Sequence, residues 1–191
     1  MPKEPLTRAE EAVLLAAARD LGEFRDGPPG LPVAAERTVL LFIDTGIHPS
    51  VLSQDRFRLR VERDIGGRPY VVWDRPKKRG RAAYTRVPAS KRISPWVEAF
   101  IAAPRPRYRQ FWNLLLRAVA DRVPAEAAKG GLARYNVCPV ALRHTAGVRL
   151  LDLTGDSELV RQVLNCSRDT LDYYLKLRGE MIDEKLDRAG W

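Results

Sequence analysis

The stretch CPVALRHTAGVRLLDLTGDSELVRQVLNCSRDTLDYYLKL, residues 138–177, decides how this chain is read. Its apolar residues recur at helical spacing, and Asp156 or Ser157 and then Ser167 stand where a second and a third helix need N-caps. It predicts helices over 141–153, 157–165 and 168–178, with a charged tail helix continuing to 188. Arg143 and His144 head the first helix, and Tyr173 and Tyr174 sit side by side on the third. Adjacent residues on a helix cannot face the same way, so one tyrosine belongs to the core and the other turns toward a site. Taken singly, Arg143 reads as a surface arginine at a helix start, and His144 as a side chain that pins that start through a hydrogen bond.

Upstream the pattern is also mostly helical. Thr7 precedes Glu10 by three residues, the spacing of a capping box, and the run to Leu21 is rich in helix formers. The stretch GEFRDGPPGLP, residues 22–32, predicts a loop, because its glycines and prolines suit neither regular structure. Residues 36–46 predict a buried helix, with a strand as the alternative that the apolar run alone would also allow, and Pro49 or Ser50 starts a short second helix. Helices are expected again over 94–103 and 108–121, the latter with Phe111, Leu114, Leu115 and Ala118 on one face.

Between 57 and 88 the period changes from helical to alternating. RFRLRVE, RPYVVWD and AYTRVP predict three short strands of one small antiparallel sheet. The turn between the second and third carries Lys77, Lys78, Arg79 and Arg81. The fold class expected is α+β, mostly α-helical, with this sheet inserted early.

The chain has 191 residues, enough for one domain with its own core. With 45% apolar and 30% charged residues it is globular in type. No apolar run is long enough to span a membrane and no signal-peptide core follows the first residues, so a cytoplasmic protein with no membrane partner is expected. Thirty-three basic residues against 24 acidic ones give a net charge of +9. The excess is concentrated in residues 56–92 and in PRPRYRQFWNLLLR, residues 104–117. Clustered cations favour polyphosphate through counterion release, which makes nucleic acid the first partner to consider and a merely basic protein the alternative.

Other chemistries lack their signatures. There is no GxxxxGK[ST], GxGxxG or HExxH. Cys138 and Cys166 have no CxxC spacing, and a zinc site would have to recruit both together with His48 and His144, the only histidines. Helix-end capping accounts for Asp152, Asp156 and Glu158 more simply than a Mg²⁺ site does. No cofactor and no metal is expected.

The opening stretch resembles the carboxy-terminal signature of the tyrosine recombinases, the phage-integrase family. There a His-x-x-Arg-His-Thr segment opens one helix, a Leu-Gly-His-Ser segment follows, and the nucleophilic tyrosine comes about nine residues after that histidine. Three further segments agree: LTRAEEAVLLAAA at 6–18, LLFIDTGIHPSVLSQDRFRL at 40–59 and the basic turn before AAYTRVPAS at 82–90. They resemble, respectively, the family's opening helix, its first-arginine segment and its lysine-bearing hairpin. The resemblance runs from residue 6 to about 178, and no stretch resembles the family's separate amino-terminal core-binding domain.

The resemblance implies double-stranded DNA as partner, and strand cleavage and joining through a phosphotyrosine, which keeps the bond energy and needs neither ATP nor metal. It gives Arg143 the role of the second catalytic arginine, with His144 and Thr145 as its usual neighbours. Lys78, or Lys77, matches the hairpin lysine that protonates the leaving oxygen. Tyr174 is the candidate nucleophile, with Thr170 four residues before it, and Tyr173 competes, since Tyr174 lies eight residues after Cys166. His48 stands at the position of the first arginine, Val140 at that of the box-two histidine, Cys166 at that of the next histidine or tryptophan, and Val51 at that of the usual glutamate. Arginine suits these sites because its planar fork stays charged and stabilises the oxyanion. His48 can donate one hydrogen bond, Cys166 donates weakly and Val140 not at all.

Residues 1–178 are therefore expected to form a tyrosine-recombinase-like catalytic domain, and 179–191 a tail that serves oligomerisation, as a tetramer on DNA or with an active recombinase. DNA contacts are expected from Lys77, Lys78, Arg79, Arg81, Arg143 and His144, and nucleoid association when on DNA. Two other readings stand beside the enzyme: a DNA-binding relative that has lost strand transfer and acts in regulation or assembly, and a helical interaction protein whose basic surface is incidental.

Overall fold

The computed structural model describes residues 4–26, 30–74, 84–164 and 166–189, and the side chains among them up to 179. The first helix, α1 (Arg8–Leu21), opens as its sequence requires. The Glu10 N–H donates to Thr7 Oγ1 at 3.2 Å, and the Thr7 N–H donates to the Glu10 carboxylate at 2.8 Å. The helix ends at Gly22, whose φ of 67° is one that side chains avoid.

The expected loop that follows holds a two-residue hairpin, β1 (Glu23–Phe24) paired with β2 (Val33–Ala34). Phe24 draws the chain inward, its ring 5.3 Å from that of Phe111. Next come α2 (Ala35–Thr45) and α3 (Pro49–Ser53). Eight of the α2 residues are buried, which is why a run of apolar residues without strong amphipathic contrast forms a helix here: other elements surround it.

The sheet has three antiparallel strands in sequence order, β3 (Arg60–Arg63), β4 (Pro69–Asp74) and β5 (Tyr84–Pro88). Val71 pairs with Val61 on one side and with Val87 on the other. The first strand starts later than its alternation suggests. Residues Asp55–Phe57 make a 3₁₀ turn that buries Phe57, and Arg58 takes a left-handed φ of 41° before the chain extends. Lys77, Lys78, Arg79 and Arg81, on the β4–β5 connection, lie outside the described residues.

Among the described residues five further α-helices follow: α4 (Val97–Ala102), α5 (Arg109–Ala120), α6 (Pro139–Thr154), α7 (Ser157–Leu164) and α8 (Arg168–Ala189). The buried face of α5 is Phe111, Trp112, Leu115, Leu116 and Val119, rotated from the expected one, so Leu114 and Ala118 are only half-buried. Trp112 sets that rotation: its ring meets Phe42 edge-on at 6.5 Å, and its indole N–H donates to Ser53 Oγ at 3.0 Å. Asp156 and Ser167 cap α7 and α8 through the Leu159 and Thr170 N–H groups. The tail is not a separate helix, because α8 runs unbroken through Gly179. Among the described residues no helix is long and apolar enough to cross a membrane.

Among the described residues two clusters form the interior. The larger gathers α1, α2, α5 and one face of the sheet around Leu14, Phe42, Trp112 and Leu115. The smaller lies between α6, α7 and α8 and consists of Val148, Leu151, Val160, Leu164, Cys166, Leu171 and Tyr174. A buried ionic group supports the first: Glu11, 3% exposed, pairs with both Arg92 and Arg149, and Arg92 also pairs with Asp44. Burial, with Arg8 nearby, pushes the Arg149 pKa down to about 10, so it remains charged at neutral pH.

Candidate active site

The site is assembled where the C-terminal end of α2 meets α6 and α7. Gly46 ends α2 at φ 60°, its N–H bonded to the Phe42 carbonyl at 2.9 Å. The left-handed φ favours glycine at 46, and an added Cβ would also lie 2.8 Å from Leu164 Cδ2 and 3.3 Å from Ala146 Cβ, so Leu164 would have to shift. Thr45 completes the turn by accepting the Ile47 N–H at 3.2 Å.

The turn delivers His48 as the N-cap of α3. Its Nδ1 accepts the Ser50 N–H at 3.2 Å and lies 2.5 Å from Ser50 Oγ. A ring nitrogen that accepts from a backbone N–H carries no proton, so the neutral imidazole holds its proton on Nε2. Burial lowers the His48 pKa, and the nearby charges of Arg109 and then Arg143 lower it further. His48 is thus a neutral single donor at neutral pH.

Arg143 emerges from the second turn of α6 and reaches across the junction. One terminal nitrogen donates to the Gly46 carbonyl and the other to the Leu164 carbonyl. Both acceptors sit at helix C-terminal ends, where the carbonyl dipoles favour a cation. Burial lowers its pKa, while Tyr174 and Cys166 act in the opposite direction. Two of the five guanidinium N–H groups are therefore engaged with the protein's own backbone.

Tyr174 is fully buried. Its ring rests on α6 at Gly147, where an added Cβ would fall 2.4 Å from Tyr174 Cε2. Its hydroxyl lies 3.3 Å from His144 Nδ1, and burial pushes the phenol up to about 12 despite the opposing field of Arg143. The phenol is protonated at neutral pH and shares a hydrogen bond with His144, whose own pKa is lowered by burial and by Arg143. The His144 ring also meets Tyr173 edge-on at 5.2 Å, and Tyr173 is only half-buried.

Cys166 is 6% exposed, and burial raises its thiol pKa against the fields of Arg143 and Arg161. Val140 leaves 45% of its surface exposed on the first turn of α6. Thr145 faces inward, accepting the Leu6 N–H at 2.8 Å and so tying the start of the chain to α6. Among the described residues no group of three or more His, Cys, Asp or Glu is arranged to hold a metal ion.

Positions far apart in sequence are thus brought together: His48, Arg143, His144, Cys166 and Tyr174 share one junction. Two contributors escape sequence reasoning. Gly147 lies inside a helix, where a glycine is a signal of close approach. Arg109, whose charge acts on His48, is one of several arginines in a basic stretch and carries no motif of its own.

No protein-family model matches the sequence, and no curated protein matches it either. Solved structures do. The XerH site-specific recombinase bound to palindromic difH substrate, a post-cleavage complex, superposes with a TM-score of 0.62 at 13% identity, over 98% of this chain and 52% of that one. The Tn1549 transposon integrase in complex with transposon right end DNA gives 0.54 at 16% identity, over 100% of this chain and 67% of that one. The chain spans about half the length of the XerH chain. It has the tyrosine-recombinase-like catalytic-domain fold, α+β and mostly helical.

Proposed function

We propose that this chain binds duplex DNA as a tyrosine-recombinase-like module whose phosphotyrosine chemistry is not set up in the arrangement described above. One observation carries the reading: His48 and Arg143, the two residues that the resemblance matches to the family's arginine positions, lie at a single junction, while the Tyr174 phenol is enclosed and hydrogen-bonded to His144. A backbone phosphate needs cationic or N–H donors, and the net charge of +9 supplies long-range attraction. Lys77, Lys78, Arg79 and Arg81 add further contacts to the same duplex.

Strand transfer is the second reading, favoured by the 3.3 Å approach of Tyr174 Oη to His144 Nδ1. In it Tyr174 Oη bonds to phosphorus as its proton passes to His144, the bond from phosphorus to the 5′-oxygen breaks, and Lys78 protonates that oxygen. Arg143 and the His48 Nε2–H stabilise the nonbridging oxygens, and Cys166 contributes a weak donor. Tyr174 must first leave its seat on Gly147. Binding at one DNA site by several copies, or together with an active recombinase, through residues 179–191 belongs to the same proposal. Sedimentation of the DNA complex tests it, since a single copy per site under saturation would rule it out.

Binding is tested by titrating a fluorescent duplex with the protein at several salt concentrations. The expected result is an affinity that falls steeply and log-linearly with salt. Absence of salt-dependent binding would sink the proposal and leave the interaction-protein reading in its place.

A further inference from the structure

A cavity of about 430 Å³ opens between α1, α2, the end of β5 and α6, within the range of about 300–1,000 Å³ that small-molecule sites occupy. Its walls are largely apolar and include Ile43, Pro88, Ala146, Leu150 and Leu153. Ala146, Arg149, Leu150 and Leu153 follow helical spacing along α6, so they present one face of that helix to the cavity. Leu153 leaves 77% of its surface exposed there and packs in neither interior cluster.

Among the described residues four arginines line the same cavity: Arg8, Arg68, Arg92 and Arg149. Arg92 pairs with Glu11 and Asp44, and Arg149 pairs with Glu11, so two carboxylates serve two of the four cations. Arg8 and Arg68 have no ion pair among the described residues, and Arg68 rests over the Tyr70 ring at 5.9 Å. Donors outnumber acceptors in a second respect. Arg149 Nη1 is buried without a hydrogen-bond partner among the described residues. A carboxylate brings acceptors only, and an apolar body attached to it would cover Leu150 and Leu153; together they supply what these walls lack.

We propose that this cavity binds a small amphipathic carboxylate, its head held by Arg8 and Arg68 and its apolar body laid against Leu150 and Leu153 of α6. The walls come from several elements around one compact volume, which suits a small molecule rather than an extended chain. The guanidinium groups select an anion through their planar donors, and burial of the body adds an affinity that does not depend on charge. Ile43 and Asp44 of α2 share the wall with Ala146 of α6, so an occupant braces these two helices against each other. The inference stands apart from the DNA-binding reading, since His48, Arg143 and Tyr174 take no part in it.

The test measures binding of radiolabelled octanoate to the full chain by equilibrium dialysis, with 1-octanol and acetate as competitors. One saturable site per chain is expected, and each competitor, lacking the anionic head or the apolar body, should be weaker by about 10-fold or more. Arg8→Ala and Arg68→Ala should each weaken octanoate about 10-fold. Leu153→Asp, which sets a like charge in the apolar wall, should weaken it further. Arg19→Ala, outside the cavity, should leave binding unchanged. Arg8, Arg68 and Arg19 are all exposed, and circular dichroism should confirm that the variants fold. Octanoate should also raise the urea midpoint of the unmodified protein, because it binds the folded chain alone. Absence of a saturable site, competition by 1-octanol or acetate as strong as octanoate's own, or an Arg19→Ala effect as large as that of Arg8→Ala would overturn the inference.

Discussion

The Tyr174 ring lies directly on the backbone of Gly147, so close that a Cβ there would sit 2.4 Å from Cε2 and 2.6 Å from Cζ. The side chain that would perform strand transfer is therefore also the side chain that seals α8 against α6. Any strand transfer through Tyr174 would have to break that packing.

Gly147→Ala tests that contact. Alanine gains about 1 kcal/mol of helix propensity over glycine, whereas forcing a fully buried aromatic aside costs roughly 1–3 kcal/mol. The clash should win, giving net destabilisation in urea unfolding. Combining Gly147→Ala with Tyr174→Leu should cost less than the sum of the single changes, because the smaller side chain frees the space. Strict additivity would place Tyr174 elsewhere.

Arg143 is a structural tie between the ends of α2 and α7. Arg143→Ala leaves the Gly46 and Leu164 carbonyls without their partner, and should destabilise the fold on the order of 3 kcal/mol. Arg143→Lys should recover only part of this, since an ammonium cannot span both acceptors with a planar fork. Loss of DNA binding without loss of stability would contradict the bridging role.

The two histidines predict acid sensitivity. His48 and His144 both have folded pKa values lowered from 6.5, chiefly by burial. The unfolded chain then binds more protons, so stability is present above pH 6.5 and is lost as pH falls through the folded values. Tyr174 acts at the other end of the scale. Its folded pKa is raised from 10 to about 12, so stability is intact below pH 10 and declines as pH rises toward 12. Tyr174→Phe should remove most of that alkaline slope, as read by urea midpoints from pH 9 to pH 11.

Much of this arrangement was legible in the sequence. The Thr7–Glu10 capping box, the helix starts at Asp156 and Ser167 and the period-2 strands are local signals, and local geometry follows them. What escaped depends on tertiary neighbours. Phe57 alternates like a strand residue but is buried by a 3₁₀ turn, since Arg58 reverses the chain. The α5 face rotates because Ser53, from a distant helix, captures the Trp112 N–H. At the site, residue types were readable but commitments were not. No spacing rule says that Arg143 is held by the carbonyls of Gly46 and Leu164, or that Tyr174 rather than Tyr173 fills the space over Gly147.

The central claim is that the chain binds duplex DNA without cleaving it through Tyr174. The most direct measurement incubates the protein with a nicked duplex from its own genomic neighbourhood, measuring binding and denaturation-resistant protein–DNA adduct in one sample. The account predicts salt-dependent binding and no adduct, with unmodified protein and Tyr174→Phe indistinguishable. An adduct formed by the unmodified protein and lost in Tyr174→Phe would contradict it and establish the phosphotyrosine chemistry instead.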